Sequence, residues 1–260
     1  MKKQHITKNM VEEGLHICYD NISFSTFPYN VYGLKSSKHT LQYYNSGNCI
    51  ALSLFLKSYF KNMGIVSYLI PASVPKIHMV EGVKHICHVS LLIPYDKDKF
   101  YIVDPAFYFL NPLDCQLSNN TERVADSVNV HSEKHTQLRY KLTNADEHNQ
   151  FEKQCTCYFE NNKTDVWHYY VQEVSLEDAD EFIGATFMKH KPEPFIVKTV
   201  MDIENNTVVK LYHIKRPTLH DCIIIKGTSE VYKGPIKDIP KNLLKEIGMR
   251  LFKYFNRSIF

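Results

Sequence analysis

The segment Asn45-Ser-Gly-Asn-Cys49-Ile-Ala-Leu-Ser-Leu-Phe-Leu-Lys-Ser-Tyr-Phe-Lys-Asn-Met-Gly64 is the clearest structural signal in the chain. Leu52, Phe55, Leu56, Tyr59, Phe60 and Met63 recur at the three- and four-residue spacing of one buried helical face. Asn45, Ser46 and Asn48 offer N-caps and Gly64 a stop, so the pattern predicts a helix over 49–63. Cys49 opens that helix. A helix N-terminus carries roughly half a unit of positive charge and free N–H groups, an environment that favours a thiolate. Gly47 is read as leaving room for a substrate carbonyl beside the sulfur, and the neighbouring N–H groups as donors to an oxyanion.

A nucleophilic thiol needs a base, usually histidine, and a carboxylate behind it. Both occur in His88-Val-Ser-Leu-Leu-Ile-Pro-Tyr95-Asp-Lys-Asp-Lys-Phe100-Tyr-Ile-Val-Asp104-Pro, which reads as two strands, 86–93 and 100–103, around a charged turn. With the turn centred on Asp96, His88 faces Asp104 across the ladder; a centre one residue later shifts that register. His88 shares a face with Ser90 and Leu92. His85 competes for the role of base but has the opposite parity. Taken singly, each residue has a plainer reading: a buried filler thiol, a core histidine, an Asp-Pro turn. Their order and their elements make Cys49, His88 and Asp104 the candidate triad for acyl-group chemistry.

Further out, 10–19 is expected to be helical, and the aromatic segment 24–31 extended because of Pro28. A strand is expected over 65–70, ended by Pro71, and 111–120 reads as loop. Strand candidates follow at 137–142, 155–159, 166–174, 195–201, 207–214 and 221–225, with Glu204-Asn-Asn-Thr207 as a hairpin turn. Helices are expected over 176–187 and 239–255, the second with Leu243, Leu244, Ile247, Leu251 and Phe255 inward and basic residues on its solvated face.

Composition sets limits. The 260 residues carry 31 basic and 28 acidic side chains, interspersed, a net +3 that gives no ground for nucleic-acid binding. No apolar run reaches the roughly 18 residues of a membrane span and none resembles an export signal. Seven cysteines at irregular spacing argue against a disulfide framework, and a reducing, cytoplasmic setting is expected. No metal is expected: His131 and His135 have a metal pair's spacing without a third ligand, and Cys155 and Cys157 lack a second pair.

The motifs then converge. Gly47-Asn-Cys49, the helix with Leu54-Phe-Leu56, Gly64-Ile65, His88-Val-Ser-Leu-Leu92 and Tyr101-Ile-Val-Asp104-Pro resemble the core of the transglutaminase-like cysteine superfamily. Within it the chain looks most like an arylamine N-acetyltransferase. Cys49 matches that family's acylated cysteine, His88 its base and Asp104 its orienting acid, at intervals of 39 and 16 residues. Phe107 matches a phenylalanine that lines the acceptor pocket. Trp167-His-Tyr-Tyr-Val171, Leu176-Glu-Asp178, Lys191-Pro-Glu-Pro-Phe195 and Asn205-Asn-Thr-Val-Val-Lys-Leu211 follow the order of the family's second half.

The resemblance implies an α+β fold of cysteine-proteinase type in three lobes: an N-terminal helical bundle (1–70), a β-barrel (71–190) and a C-terminal α/β lid (191–260). It implies a ping-pong acyltransferase with acetyl-coenzyme A or another acyl-coenzyme A as co-substrate, its partners a small acyl donor and an amine acceptor. Three stretches depart from the pattern, one of them Ile50-Ala-Leu-Ser53 after the cysteine, where the family usually has an aromatic, then Glu, then Asn. Asn45-Ser-Gly-Asn48 stands for Arg-Gly-Gly-x before the cysteine, and Pro105-Ala-Phe-Tyr108 for Val-Gly-Phe-Gly after the acid. Asp104-Pro105 is closer to the transglutaminase and protease branches, which keeps a cysteine hydrolase or deamidase acting on amides as the second reading. A non-catalytic binding module is a third.

Overall fold

The computed structural model describes residues 5–32, 36–76, 79, 85–129, 132–145, 151–180, 196–218 and 220–248. The fold is α+β. Helix α1 (Lys8–Asn21) is capped by the Thr7 hydroxyl and buries Val11, Leu15, Cys18 and Tyr19. After the short strand β1 (Ser23–Ser25) comes a helix, α2 (Phe27–Tyr32), where extended chain was expected. Pro28 lies in its first turn, where the missing N–H would have had no intrahelical acceptor, so the ring costs that helix nothing. Then follow α3 (Ser37–Tyr44), β2 (Ser46–Gly47) and α4 (Cys49–Asn62), which ends at Gly64 with φ 76°.

Strand β3 (Tyr68–Ala72) runs through Pro71 rather than stopping there. On one side it pairs β4 (His88–Pro94) along its length; on the other it meets β10 only at Tyr169↔Ala72, so a missing proline N–H breaks no ladder. The hairpin of β4 with β5 (Lys99–Val103) pairs Leu91 with Val103 and Pro94 with Phe100. The turn is thus centred on Lys97, one residue later than the register that sets His88 opposite Asp104.

The 111–120 segment, expected to be loop, contains β6 (Leu113–Gln116), and β7 (Arg123–Asn129) is a strand that the sequence pattern does not single out. Strands β8 (Lys134–Asn144), β9 (Lys153–Phe159), β10 (Asn162–Tyr170), β11 (Ile196–Asp202), β12 (Thr207–Lys215) and β13 (Asp221–Lys226) fall near their expected places. The β11–β12 turn uses Asn206 at φ 48°. The further strand β14 (Ser229–Pro235) pairs β13.

The described strands form one sheet in the order β2-β1-β11-β12-β8-β9-β10-β3-β4-β5-β6, with β7 beside β8 and β13–β14 continuing from β12. Beyond β10 the sheet turns back, and the Asp114 N–H of β6 donates to the Tyr140 hydroxyl of β8. Helix α5 (Leu176–Ala179) covers the start of the expected 176–187 helix, and α6 (Lys241–Gly248) the described part of the last one. Residues 181–195, 249–260 and His131 lie outside the described residues. One large core packs α1 and α4 against β3–β10; a smaller one joins Phe27, Tyr212, Ile214, Ile224, Leu243 and Ile247.

Candidate active site

Three segments bring the candidate residues together. Asn48 caps α4: its Oδ1 accepts from Ile50 N (3.1 Å) and Ala51 N (3.3 Å), and also from the Tyr29 hydroxyl (3.0 Å) and Ser37 hydroxyl (3.2 Å). Its carbonyl accepts from Leu52 N. Cys49 is thereby fixed at the helix tip, 3% exposed. These bonds revise two expectations. The Ile50, Ala51 and Leu52 N–H groups are engaged by the cap rather than turned to an oxyanion. The space beside Gly47 belongs to the protein: a Cβ there would stand 2.4 Å from Ala51 Cβ and 3.1 Å from Tyr29 Oη. The glycine allows α4 and Tyr29 to close on β2; it does not make room for substrate.

His88 opens β4. In the observed register Asp104 follows the strand residue Val103, which pairs Leu91, so it falls opposite Ser90 and diagonal to His88. Because the register moves by two positions, parity is kept and both side chains stay on one face, within diagonal reach. His88 Nε2–H donates to Asp104 Oδ2 at 2.5 Å, leaving Nδ1 for the thiol. Cys49 lies close enough to that ring to act on it alongside Asp104. Burial alone would push the imidazole pKa down. Asp104 and Cys49 together outweigh burial and raise it to about 10, so His88 keeps its proton at neutral pH.

Asp104 is fully buried, and both its oxygens are engaged. Oδ1 accepts from Ala106 N (3.0 Å) and Phe107 N (3.1 Å); Oδ2 accepts from His88 and from the Tyr169 hydroxyl (2.8 Å). Phe107 sits edge-on to the His88 ring at 4.9 Å and stacks on Trp167 at 5.6 Å. Sequence reasoning missed Tyr169, Asn48's second role and Tyr29. The two-residue spacing of Trp167 and Tyr169 on β10 was the available signal, since it turns both to the face that carries Asp104.

The other candidates lie elsewhere. The His85 ring lies 6.4 Å from that of His168, and His135 bonds Asp126. Cys155 and Cys157 both point into the core, where Cys115 Sγ stands 3.8 Å from Cys155 Sγ. All seven cysteines are free thiols. Among the described residues no group of three or more His, Cys, Asp or Glu is placed to hold a metal, and no helix is long and apolar enough to cross a membrane.

No protein-family model matches the sequence, and no curated protein matches it either. Solved structures do match. Arylamine N-acetyltransferase C of Bacillus anthracis aligns with TM-score 0.59 and 14% identity over 94% of this chain and 92% of its own. This chain has the arylamine N-acetyltransferase fold. An arylamine N-acetyltransferase of Bacillus cereus, described as having a unique Cys-His-Glu catalytic triad, gives 0.58 and 14% over 96% and 94%. The Mycobacterium marinum enzyme, in complex with CoA, gives 0.54 and 10% over 88% and 80%. At such identities the likeness is one of fold.

Proposed function

We propose that this chain is an acyltransferase of the arylamine N-acetyltransferase type, with Cys49 as nucleophile. What supports the reading above all is the buried line from the Cys49 thiol through His88 to Asp104 at the tip of α4. In the first half-reaction the Cys49 sulfur, its proton held by His88, attacks the carbonyl of an acyl-coenzyme A. The C–S bond to coenzyme A breaks, and the departing thiolate takes the proton from His88. In the second, an amine attacks the Cys49 thioester, gives its proton to His88, and the cysteine leaves. Asp104 holds Nε2–H, fixing ring orientation and stabilising the imidazolium. The Cys49 N–H, which the Asn48 side chain does not engage, is the proposed donor to the oxyanion.

Phe107, against the His88 ring, is proposed to border the acceptor, and acetyl-coenzyme A is the proposed donor. The lobes proposed for the chain are a helical bundle (1–70), a barrel (71–190) and a lid (191–260). A cytoplasmic setting accords with seven free thiols.

The test is intact-mass spectrometry after mixing with acetyl-coenzyme A and no acceptor. Wild type is expected to gain one acetyl group, lost again when an arylamine is added, and Cys49→Ala to gain none. Absence of any gain in wild type removes the transferase reading; a gain that survives in Cys49→Ala removes the residue assignment. Acylation by peptide amides with release of ammonia, in place of acetyl-coenzyme A, selects the amide-hydrolase reading suggested by Asp104-Pro105.

A further inference from the structure

We infer that Tyr108 is a positioning residue, tying the Asp104 turn to the strand row that leads to Cys49 and so holding base and nucleophile in register. The inference rests on the thiol-nucleophile reading above. Its starting point is the backbone. Tyr108 has φ 49°, a left-handed conformation that costs an ordinary side chain on the order of 1 kcal/mol or more. Glycine takes it freely, and glycine is what the resembling motif carries here. A large residue that stays in such a conformation calls for a compensating contact.

That contact is to the other side of the site. The Tyr108 ring is buried beside Tyr19, and its hydroxyl meets Thr199 Oγ1 at 2.5 Å, both groups shielded from water. Thr199 lies in β11 opposite Phe24 of β1, and Phe24 lies opposite Gly47 of β2, two residues before Cys49. The bond therefore joins the turn that carries Asp104 to the row of paired residues that ends at the nucleophile.

On its own side Tyr108 is held firmly. Its N–H donates to Pro105 O, while its carbonyl accepts from Val128 N and the Ser127 hydroxyl. Within the same turn Ala106 and Phe107 donate to Asp104 Oδ1, and Phe109 N–H donates to Asp104 O. A displacement of Tyr108 is passed directly to the carboxylate that orients His88. Misplacement of a base by about 1 Å is enough to cost roughly 100-fold in rate.

Core filling alone would be served as well by phenylalanine, so the hydroxyl is what the test isolates. Tyr108→Phe and Thr199→Val remove the bond from opposite ends; Tyr108→Gly removes it and also relieves the backbone. The readouts are the rate of iodoacetamide alkylation of Cys49 as a function of pH, and kcat and KM for acyl transfer. Each single variant is expected to slow alkylation near neutral pH by about 10-fold and to lower kcat similarly with KM little changed. The Phe/Val double variant is expected to be no slower than either single. Tyr108→Gly is expected to lose reactivity as Tyr108→Phe does, whatever its melting temperature. An unchanged alkylation profile in Tyr108→Phe or Tyr108→Gly overturns the inference. Wild-type Cys49 that reacts no faster than a free thiol overturns the nucleophile reading and this inference with it, and acyl transfer failing while the alkylation differences persist overturns only the transferase assignment.

Discussion

Asp104 is the residue on which the most depends. Its carboxylate is out of water, and four donors converge on its two oxygens: two backbone N–H groups, the His88 ring and the Tyr169 hydroxyl. An acceptor satisfied in this way has one orientation, and so has the imidazole bonded to it. Asp104→Asn replaces one acceptor oxygen with a donor that opposes either a backbone N–H or the His88 N–H. A fall in acyl-transfer kcat of about 10³–10⁴ is expected, with Cys49→Ala as the reference for zero. Tyr169→Phe keeps the ring and the carboxylate and loses one bond, so a smaller loss, on the order of 10-fold, is expected. Steady-state kinetics of the two variants side by side would separate the roles, and an equal loss in both would contradict the ranking. The candidates Cys49, His88 and Asp104 stand out in the sequence because each is a chemical type out of keeping with its apolar surroundings. Tyr169 stands out only through its parity with Trp167, because by type alone a tyrosine in an aromatic strand looks like any other core residue.

At the scale of elements, helix α4 carries its own evidence for why Cys49 stays where it is. The helix was legible because fourteen residues with periodic apolar spacing are a strong signal, as the match of its start to Cys49 shows. Its anchoring was not legible. Asn48 reads locally as an N-cap, yet its oxygen also gathers Tyr29 from α2 and Ser37 from α3, contacts 19 and 11 residues away in sequence. Asn48→Ala should therefore cost more than an ordinary cap, about 2 kcal/mol by urea denaturation, and Asn48→Ser, which restores only the local bond, about half that. Gly47→Ala tests the packing below the cap. A methyl 2.4 Å from Ala51 Cβ forces α4 or β2 to shift, and a loss of about 1–3 kcal/mol is expected, with Cys49 reactivity reduced as well. A Gly47→Ala protein of unchanged stability would restore the view that this glycine faces open substrate space. The same limit of local reading explains Pro28 and Pro71. Read locally, each proline is a break, whereas one sits where a helix has no N–H to lose and the other where a strand has almost no second neighbour.

The whole molecule is joined by pairings too short to leave a pattern. Strands β1 and β2, of three and two residues, connect the helical N-terminal part to β11, some 175 residues after β1, and no periodicity can exist over so short a run. The same fold holds two buried cations with opposite responses to pH. His88 is raised to about 10 in the fold, so the stability it contributes is complete below its unfolded value near 6.5 and is lost as pH climbs toward 10. Lys198 on β11 is lowered by burial to about 8, while its Nζ donates to the Ile247 carbonyl on α6. In its case the unfolded chain binds the extra proton between pH 8 and about 10.5, so its contribution rises with pH over that window. Between pH 8 and 10 the two slopes oppose each other. Lys198→Met removes the rising one, and its urea midpoint should fall more steeply over this range than that of wild type; His88→Gln removes the falling one and should flatten the curve. Midpoints measured at pH 7, 8, 9 and 10 for the three proteins decide the matter, because groups common to all of them cancel in the differences. Parallel curves for wild type and Lys198→Met would mean that the Lys198 ammonium is as well accommodated beneath α6 as it is in water.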